Sequence, residues 1–192
     1  MTAAPHLIPI PGPAADLGTR LSDGLPVLNT ARCILRAPVL ADATAWITIM
    51  AADTEGHIGG PLDPDNAFKE FAATVGLWLL RGHGLWTVTD KAGTVLGFVL
   101  LGFEPGDKEP ELGFLFCEDA RGRGLAAEAA TAARTYALEI LCLPSLVSYI
   151  APGNTASRRL AERLGARLEG TVGDHDDPEP AEIWRHAPGG SA

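Results

Sequence analysis

A chain of 192 residues with 46% hydrophobic residues and a net charge of −9 is most simply one domain with a substantial core, and its acidic balance argues against a general nucleic-acid binder. No apolar run approaches the ~18–20 residues of a bilayer span, so no membrane partner is expected, and the N-terminus lacks the charged-then-apolar pattern of a secretory signal. Cys33, Cys117 and Cys142 are odd in number and form no C-x-x-C pair, which implies neither a disulfide framework nor a metal site and fits a reducing cytoplasm.

Residues 1–27 mix proline with Gly, Ala and Asp and read as an irregular arm ahead of a domain over 28–187, with 188–192 as a short tail. Arg32–Arg36 is a short strand closed by Pro38. Asp42 is placed to cap a helix running to about Ala52, with Ala45, Trp46, Ile49 and Met50 on one face. His57–Pro61 is a loop. Asp65 then opens a second helix whose Phe68, Phe71, Ala72, Val75, Trp78 and Leu79 form an apolar stripe, and Gly82 and Gly84 stop it. Leu85–Thr89, a turn at Asp90–Gly93 and Thr94–Phe103 make an antiparallel hairpin, and Glu104–Asp107 turns the chain into a strand at Glu111–Cys117. Leu125–Leu141 repeats small and apolar residues at helical spacing. Leu146–Ile150 is a further strand, Asn154 caps a helix over Thr155–Leu164, and Gly165 ends it as a C′ glycine. Arg167–Val172 and Ala181–His186 form a last hairpin around an acidic loop. The order β-α-α-β-β-β-α-β-α-β-β gives a mixed sheet of α+β or α/β type, without an internal repeat.

Between the strand at Glu111 and the helix at Leu125 lies Arg121-Gly122-Arg123-Gly124-Leu125-Ala126. A glycine-rich, basic strand-to-helix turn offers free backbone N–H groups and the positive end of a helix dipole to a phosphate. No Gly-Lys-Ser/Thr follows, so it is not a nucleoside-triphosphate loop, and it lacks the full Gly-x-Gly-x-x-Gly of a dinucleotide site. From Glu111 to Val172 seven arginines balance seven acids, so the whole net charge of −9 lies outside that segment. An anion fits the neutral half and a cation the acidic remainder.

The turn matches Gln/Arg-x-x-Gly-x-Gly/Ala and resembles the pyrophosphate-binding motif of the GNAT superfamily of acyl-CoA-dependent N-acetyltransferases. Thr30-Ala-Arg-Cys-Ile-Leu-Arg36, Glu111-Leu-Gly-Phe-Leu and Asn154-x-x-Ser157-x-x-Leu-x-x-x-Leu-Gly165-Ala are similar to its RimJ/RimL-like branch. The resemblance covers about residues 28–186 and implies a central, mostly antiparallel sheet flanked by helices. It also implies that acetyl-CoA is the co-substrate, with Arg121, Gly122, Arg123, Gly124, Leu125 and Ala126 holding its pyrophosphate and Phe116 and Cys117 its pantetheine amides. The latter pair would sit where their strand splays from the one at Leu146, leaving unpaired peptide groups for an amide-containing arm. Asn154 is at once a helix N-cap and, by the resemblance, a residue near the CoA arm.

Ser157 lies on the stripe of Leu160, Ala161 and Leu164, so its hydroxyl points inward; it either bonds back to the i−4 carbonyl or donates to the departing CoA thiolate. Several GNAT branches place a tyrosine general acid on this helix; here the only tyrosines, Tyr136 and Tyr149, lie outside it, so the resemblance leaves Ser157 or water as the acid. Glu111 is either a solvated strand end or, by the resemblance, a base acting through water; Glu104 and His83 are further candidates. His175 stands among Asp174, Asp176 and Asp177, which reads as a solvated hairpin tip. Trp46, Trp78 and Trp86 are core or pocket wall, and Trp86 is the one expected near the acceptor. The resemblance implies direct attack of an amine on the thioester, with no acyl-enzyme and with Cys117 an inert thiol. The acceptor is a protein N-terminal α-amine or a small-molecule amine, and a weak base suits an amine of pKa about 7.7–8 better than a lysine near 10.4. The rival readings are a non-catalytic acyl-CoA-binding regulator or scaffold and a different phospholigand-binding domain. The arm is free to fold over its own domain or over a partner subunit in a homodimer.

Overall fold

The computed structural model describes residues 4–173 and 180–187. Its elements are α1 (Pro13–Asp23), β1 (Leu28–Asn29), β2 (Cys33–Arg36), α2 (Ala43–Ala52), α3 (Pro64–Arg81), β3 (Leu85–Asp90), β4 (Val95–Gly102), β5 (Glu111–Phe116), α4 (Leu125–Thr135), β6 (Val147–Ile150), α5 (Thr155–Arg163), β7 (Arg167–Val172) and β8 (Ala181–Arg185). The strands form one sheet in the order β1-β2-β3-β4-β5-β6-β8-β7. Every neighbouring pair is antiparallel except β5–β6. The expected α+β mixed sheet with flanking helices is therefore the fold observed.

The near-continuous apolar run of β4 follows from covering both sheet faces. Val99 and Leu101 join Trp86, Val88 and the α4 residues Ala129, Ala130 and Ala133 on one side. Phe98 and Leu100 join Trp46, Ile49 and Met50 of α2 and Phe71 of α3 on the other. The alanines of α4 let helix and sheet approach closely. Beyond Thr135 the helix widens into one π turn over Tyr136–Ile140, so the expected Leu125–Leu141 helix is not α-helical throughout.

Three local expectations shift. The arm is not irregular throughout: α1 starts with Pro13 in its first turn, where the missing N–H costs nothing. The α3 cap is Asp63, not Asp65: its carboxylate accepts from the N–H groups of Asp65 and Asn66. The buried stripe of α3 is Ala67, Phe71, Thr74 and Trp78, while Leu79 is exposed and Ala72 faces outward. Trp86 is fully buried on the α4 side and donates its indole N–H to Pro26 O (2.8 Å), which pins the end of the arm to β3.

Asp42 stands at the N-cap position of α2 but does not cap it. Its carboxylate, 3% exposed, takes a two-pronged ion pair from Arg36 (2.7 and 2.9 Å), the Val39 N–H (2.8 Å) and the Thr87 hydroxyl (2.8 Å). Burial alone would raise this carboxyl's pKa, yet Arg36, Val39 and Thr87 together hold it below the ordinary value. Asp42→Asn leaves the partly buried Arg36 guanidinium without its counter-charge and should cost about 2–3 kcal/mol, read as a lower urea midpoint at pH 7. Because the folded pKa is depressed, the native carboxylate stabilises above the unfolded pKa and loses that contribution as pH falls through the folded one. The gap between variant and native protein should therefore narrow in acid.

Candidate active site

The Arg121–Ala126 turn is built from two left-handed glycines, Gly122 (φ 71°) and Gly124 (φ 74°), with Gly124 at the N-cap position of α4 and no side-chain cap among the described residues. Arg121 N–H bonds to Glu118 O and Glu128 N–H to Gly124 O; among the described residues the N–H groups of 122–127 between them meet no acceptor. They form an open concavity at a helix N-terminus. Side chains fix its position. Arg121 Nε donates to Phe116 O (3.0 Å), and Arg32 Nη1 donates to Arg123 O (2.9 Å). Glu128 accepts from Thr30 Oγ1, Arg32 N and Arg32 Nε, each at 2.6 Å; burial opposes its ionisation, but these donors bring it down to about 2. A cavity of about 600 Å³ opens in front of the turn, with Arg121, Arg159 and Arg163 at its border.

This cavity runs along the gap between β5 and β6, which pair at one position only, Glu111 opposite Val147. Just beyond it, Ser148 Oγ donates to Leu112 O (2.6 Å) and receives the Nε2–H of buried His186 (3.0 Å). Burial, then the Arg134 charge, hold the His186 imidazole neutral down to about 4. After that the strands diverge. On the other side of β5, Cys117 N–H donates to Leu96 O (3.0 Å), which fixes the parity of the ladder. In an antiparallel pair successive residues turn their peptide groups to opposite neighbours. Residues 113, 115 and 117 therefore face β4, while Phe114 and Phe116 face the gap. The expectation for Cys117 is corrected on this point: its N–H is taken by Leu96, its C=O by Ala120 N–H, and Phe114 stands where it was expected. The Cys117 thiol is pushed up chiefly by burial, in keeping with an unreactive side chain.

A second cavity, of about 460 Å³, lies on the far side of Phe114 and Leu115 and shares His57, Asn154 and Ser157 with the first. Glu70, Glu104, Asp107 and Glu111 all line it. Glu111 is half-buried, with its open face toward this cavity, and among the described residues Oε1 accepts only a long bond from Tyr149 N–H (3.4 Å). Loss of solvent, then the charges of Asp107 and Glu104, push its carboxyl up to about 8. Burial also raises Glu70, with Glu104 adding to it, and raises Glu104, with Asp107 adding to it, although Glu104 reaches the open mouth.

Asn154 Oδ1 accepts from Ser157 N–H (3.0 Å), the N-cap bond expected of it, and Asn154 borders both cavities. Ser157 Oγ bonds to no carbonyl among the described residues, so the i−4 back-bond is not what holds it. His83 is buried, donates Nδ1–H to Leu101 O (2.7 Å) and lines neither cavity; Trp86 lines neither as well. The Asp174–Asp177 segment with His175 lies outside the described residues. Of the remaining contributors, Trp46 serves as the pocket wall expected of it, and Glu70 is the one that escapes a linear reading. Trp46 lines the second cavity, Glu70 reaches it from α3, and His57 is carried in by a loop folded around the Asp53 carboxylate, which accepts from His57, Ile58 and Gly60 N–H.

A family model described as an acetyltransferase (GNAT) domain matches residues 32–167. A crystal structure of an acetyltransferase from Agrobacterium tumefaciens str. C58 is 36% identical, with a TM-score of 0.78 over 85% of this chain and 95% of that one. A RimL ribosomal L7/L12 α-N-protein acetyltransferase in complex with coenzyme A shares the fold at a TM-score of 0.70, with 17% identity over 85% of this chain and 98% of its own. The uncharacterized protein YkkB of Bacillus subtilis (strain 168) is 33% identical over 105 residues, which are 51% of this chain and only 60% of YkkB. With a glycine-built N–H concavity, a splayed strand pair and this family match over most of its length, the chain belongs to the GNAT acetyltransferase family.

Proposed function

We propose that this protein transfers the acetyl group of acetyl-CoA to an amine by direct attack. The observation that carries this reading is the meeting of two chemically different cavities at Phe114, Leu115, Asn154 and Ser157, one under the N–H concavity and one at Glu111. The residues fit the donor. The N–H groups of 122–127 and the flanking arginines suit a pyrophosphate, and the peptide groups of Phe114 with the Phe116 N–H suit an amide-bearing arm. The thioester supplies the activated acetyl group; the chain supplies orientation and proton handling.

The acceptor nitrogen approaches from the second cavity and forms a bond to the thioester carbonyl carbon as the carbon–sulfur bond breaks. The Phe116 N–H, turned to the gap, is placed to polarise the carbonyl oxygen. The nitrogen's proton passes to Glu111, directly or through water, and Ser157 Oγ donates to the departing sulfur. A carboxylate poised near 8 takes a proton from an ammonium of pKa about 8 at almost no cost, and from one near 10.4 at about 3 kcal/mol. This extends the preference for a moderately basic amine.

Calorimetry should find acetyl-CoA binding that Gly124→Glu abolishes, since the new carboxylate meets the phosphate and a left-handed backbone is forced on a non-glycine residue. Retained affinity would remove the pyrophosphate role, and binding without thiol release over a broad amine panel would leave an acyl-CoA-binding regulator. With an acceptor whose own amine titrates well away from 8, kcat/KM should rise about tenfold per pH unit and level off near pH 8, because only the ionised Glu111 accepts a proton. Glu111→Gln should remove this limb and lower the plateau by about 10²-fold. Ser157→Ala should lower kcat by about tenfold with acetyl-CoA affinity retained; an unchanged rate would return Ser157 to a packing role.

A further inference from the structure

We infer that the acceptor is a small polyamine-like molecule: one nitrogen reacts at Glu111, while a second cationic nitrogen is held by Glu70, Glu104 and Asp107. The inference rests on the transferase reading above and names its substrate class. Four carboxyl groups share one cavity, and among the described residues none of them is in a salt bridge with a lysine or arginine. The protein elsewhere pairs such groups: Glu109 with Arg185, Glu128 with Arg32 and Asp42 with Arg36. Glu70 Oε2 is shielded from solvent and has no hydrogen-bond partner among the described residues. An unpaired, desolvated acceptor of this kind is costly unless a ligand supplies the donor.

A second orphan on the same wall points the same way. Trp46, 3% exposed, lines this cavity and its indole N–H has no partner among the described residues. An N–H donor cannot serve an ammonium, so it calls for a hydroxyl or similar oxygen on the same molecule. The combination is a hydroxylated diamine or a relative of one. A protein N-terminus offers a single cation at the reacting nitrogen and gives the carboxyls of Glu70, Glu104 and Asp107 nothing to hold. Chemistry at Glu111 agrees, because a second ammonium a few bonds away lowers the pKa of the reacting one toward that of its base.

The test compares 1,3-diaminopropane and 1,3-diamino-2-propanol with propylamine and with a tetrapeptide beginning Ser-Ala, by thiol release from acetyl-CoA. The diamines should show kcat/KM about 30-fold or more above propylamine and the peptide, from charge-assisted contacts absent in the monocations. Glu70→Gln should reduce the diamine-to-monoamine ratio to about threefold or less, with acetyl-CoA affinity retained as the check on folding. Trp46→Phe should erase any preference for the hydroxylated diamine over the plain one. Equal rates for diamine and monoamine, a preferred peptide, or a Glu70→Gln ratio that does not move overturns the inference while leaving the transferase reading intact. If no amine is turned over, calorimetry of the diamines alone decides: binding weakened by Glu70→Gln sustains the cation site without the transferase reading, and no binding overturns the site.

Discussion

One parallel strand pair that stops after a single bridge governs this molecule. Had β5 and β6 paired along their length, the peptide groups of Phe114 and Phe116 would be spent on each other's strand. Because the ladder ends at Glu111 and Val147, the peptide groups of Phe114 and the Phe116 N–H face the gap, while the Phe116 carbonyl is held by Arg121 Nε. The divergence needs support, since an unpaired carbonyl buried at the fork is unfavourable by about 1–3 kcal/mol. The Ser148 hydroxyl, held in turn by a neutral His186, supplies the bond for Leu112 and makes the fork a defined shape. The same bridge position carries Glu111, whose carboxyl lines the second cavity, so the gap and the carboxyl proposed as base have one origin.

Charge is divided along the same line. Arginines and free N–H groups surround the cavity under the α4 terminus, and carboxyls surround the cavity behind Glu111. The charge distribution along the chain hinted at this, with a neutral segment from Glu111 to Val172 and all of the net −9 elsewhere. Yet Glu111 itself belongs to the neutral segment, and its acidic neighbours Glu70, Glu104 and Asp107 come from outside it. The division is thus a product of folding, not of sequence blocks.

What could be read in advance follows the range of the physics involved. The turn at Arg121–Ala126 was legible because two glycines at that spacing announce left-handed backbone, and Asn154 because capping is local. Four of the six residues expected in the α3 stripe do pack inward, Phe71 and Trp78 buried and Phe68 and Val75 against the same cluster, while Ala72 and Leu79 turn outward and Ala67 and Thr74, too small or too polar to announce a core face, take buried positions. The parity of Cys117 depended on its register against Leu96, a contact that no local pattern encodes. Trp86 looked like a cavity residue from its place after a glycine bend, but strand alternation turned it toward α4 and Pro26. Trp46 was legible as a wall residue, whereas Glu70 reaches the second cavity from α3 and nothing in its own neighbourhood marked it.

Glu70, Glu104 and Asp107 hang from a helix face and the β4–β5 connection, outside the two apolar clusters that hold the fold together. Replacing Glu70 or Glu104 therefore removes no core volume and breaks no ladder bond. The N–H concavity, by contrast, is wired to β2 through Arg32 and Glu128 and to β5 through Arg121. Change is inexpensive on one side of the gap and ruinous on the other. A scaffold built this way can drift toward new acceptors by point substitution while its donor end stays as it is.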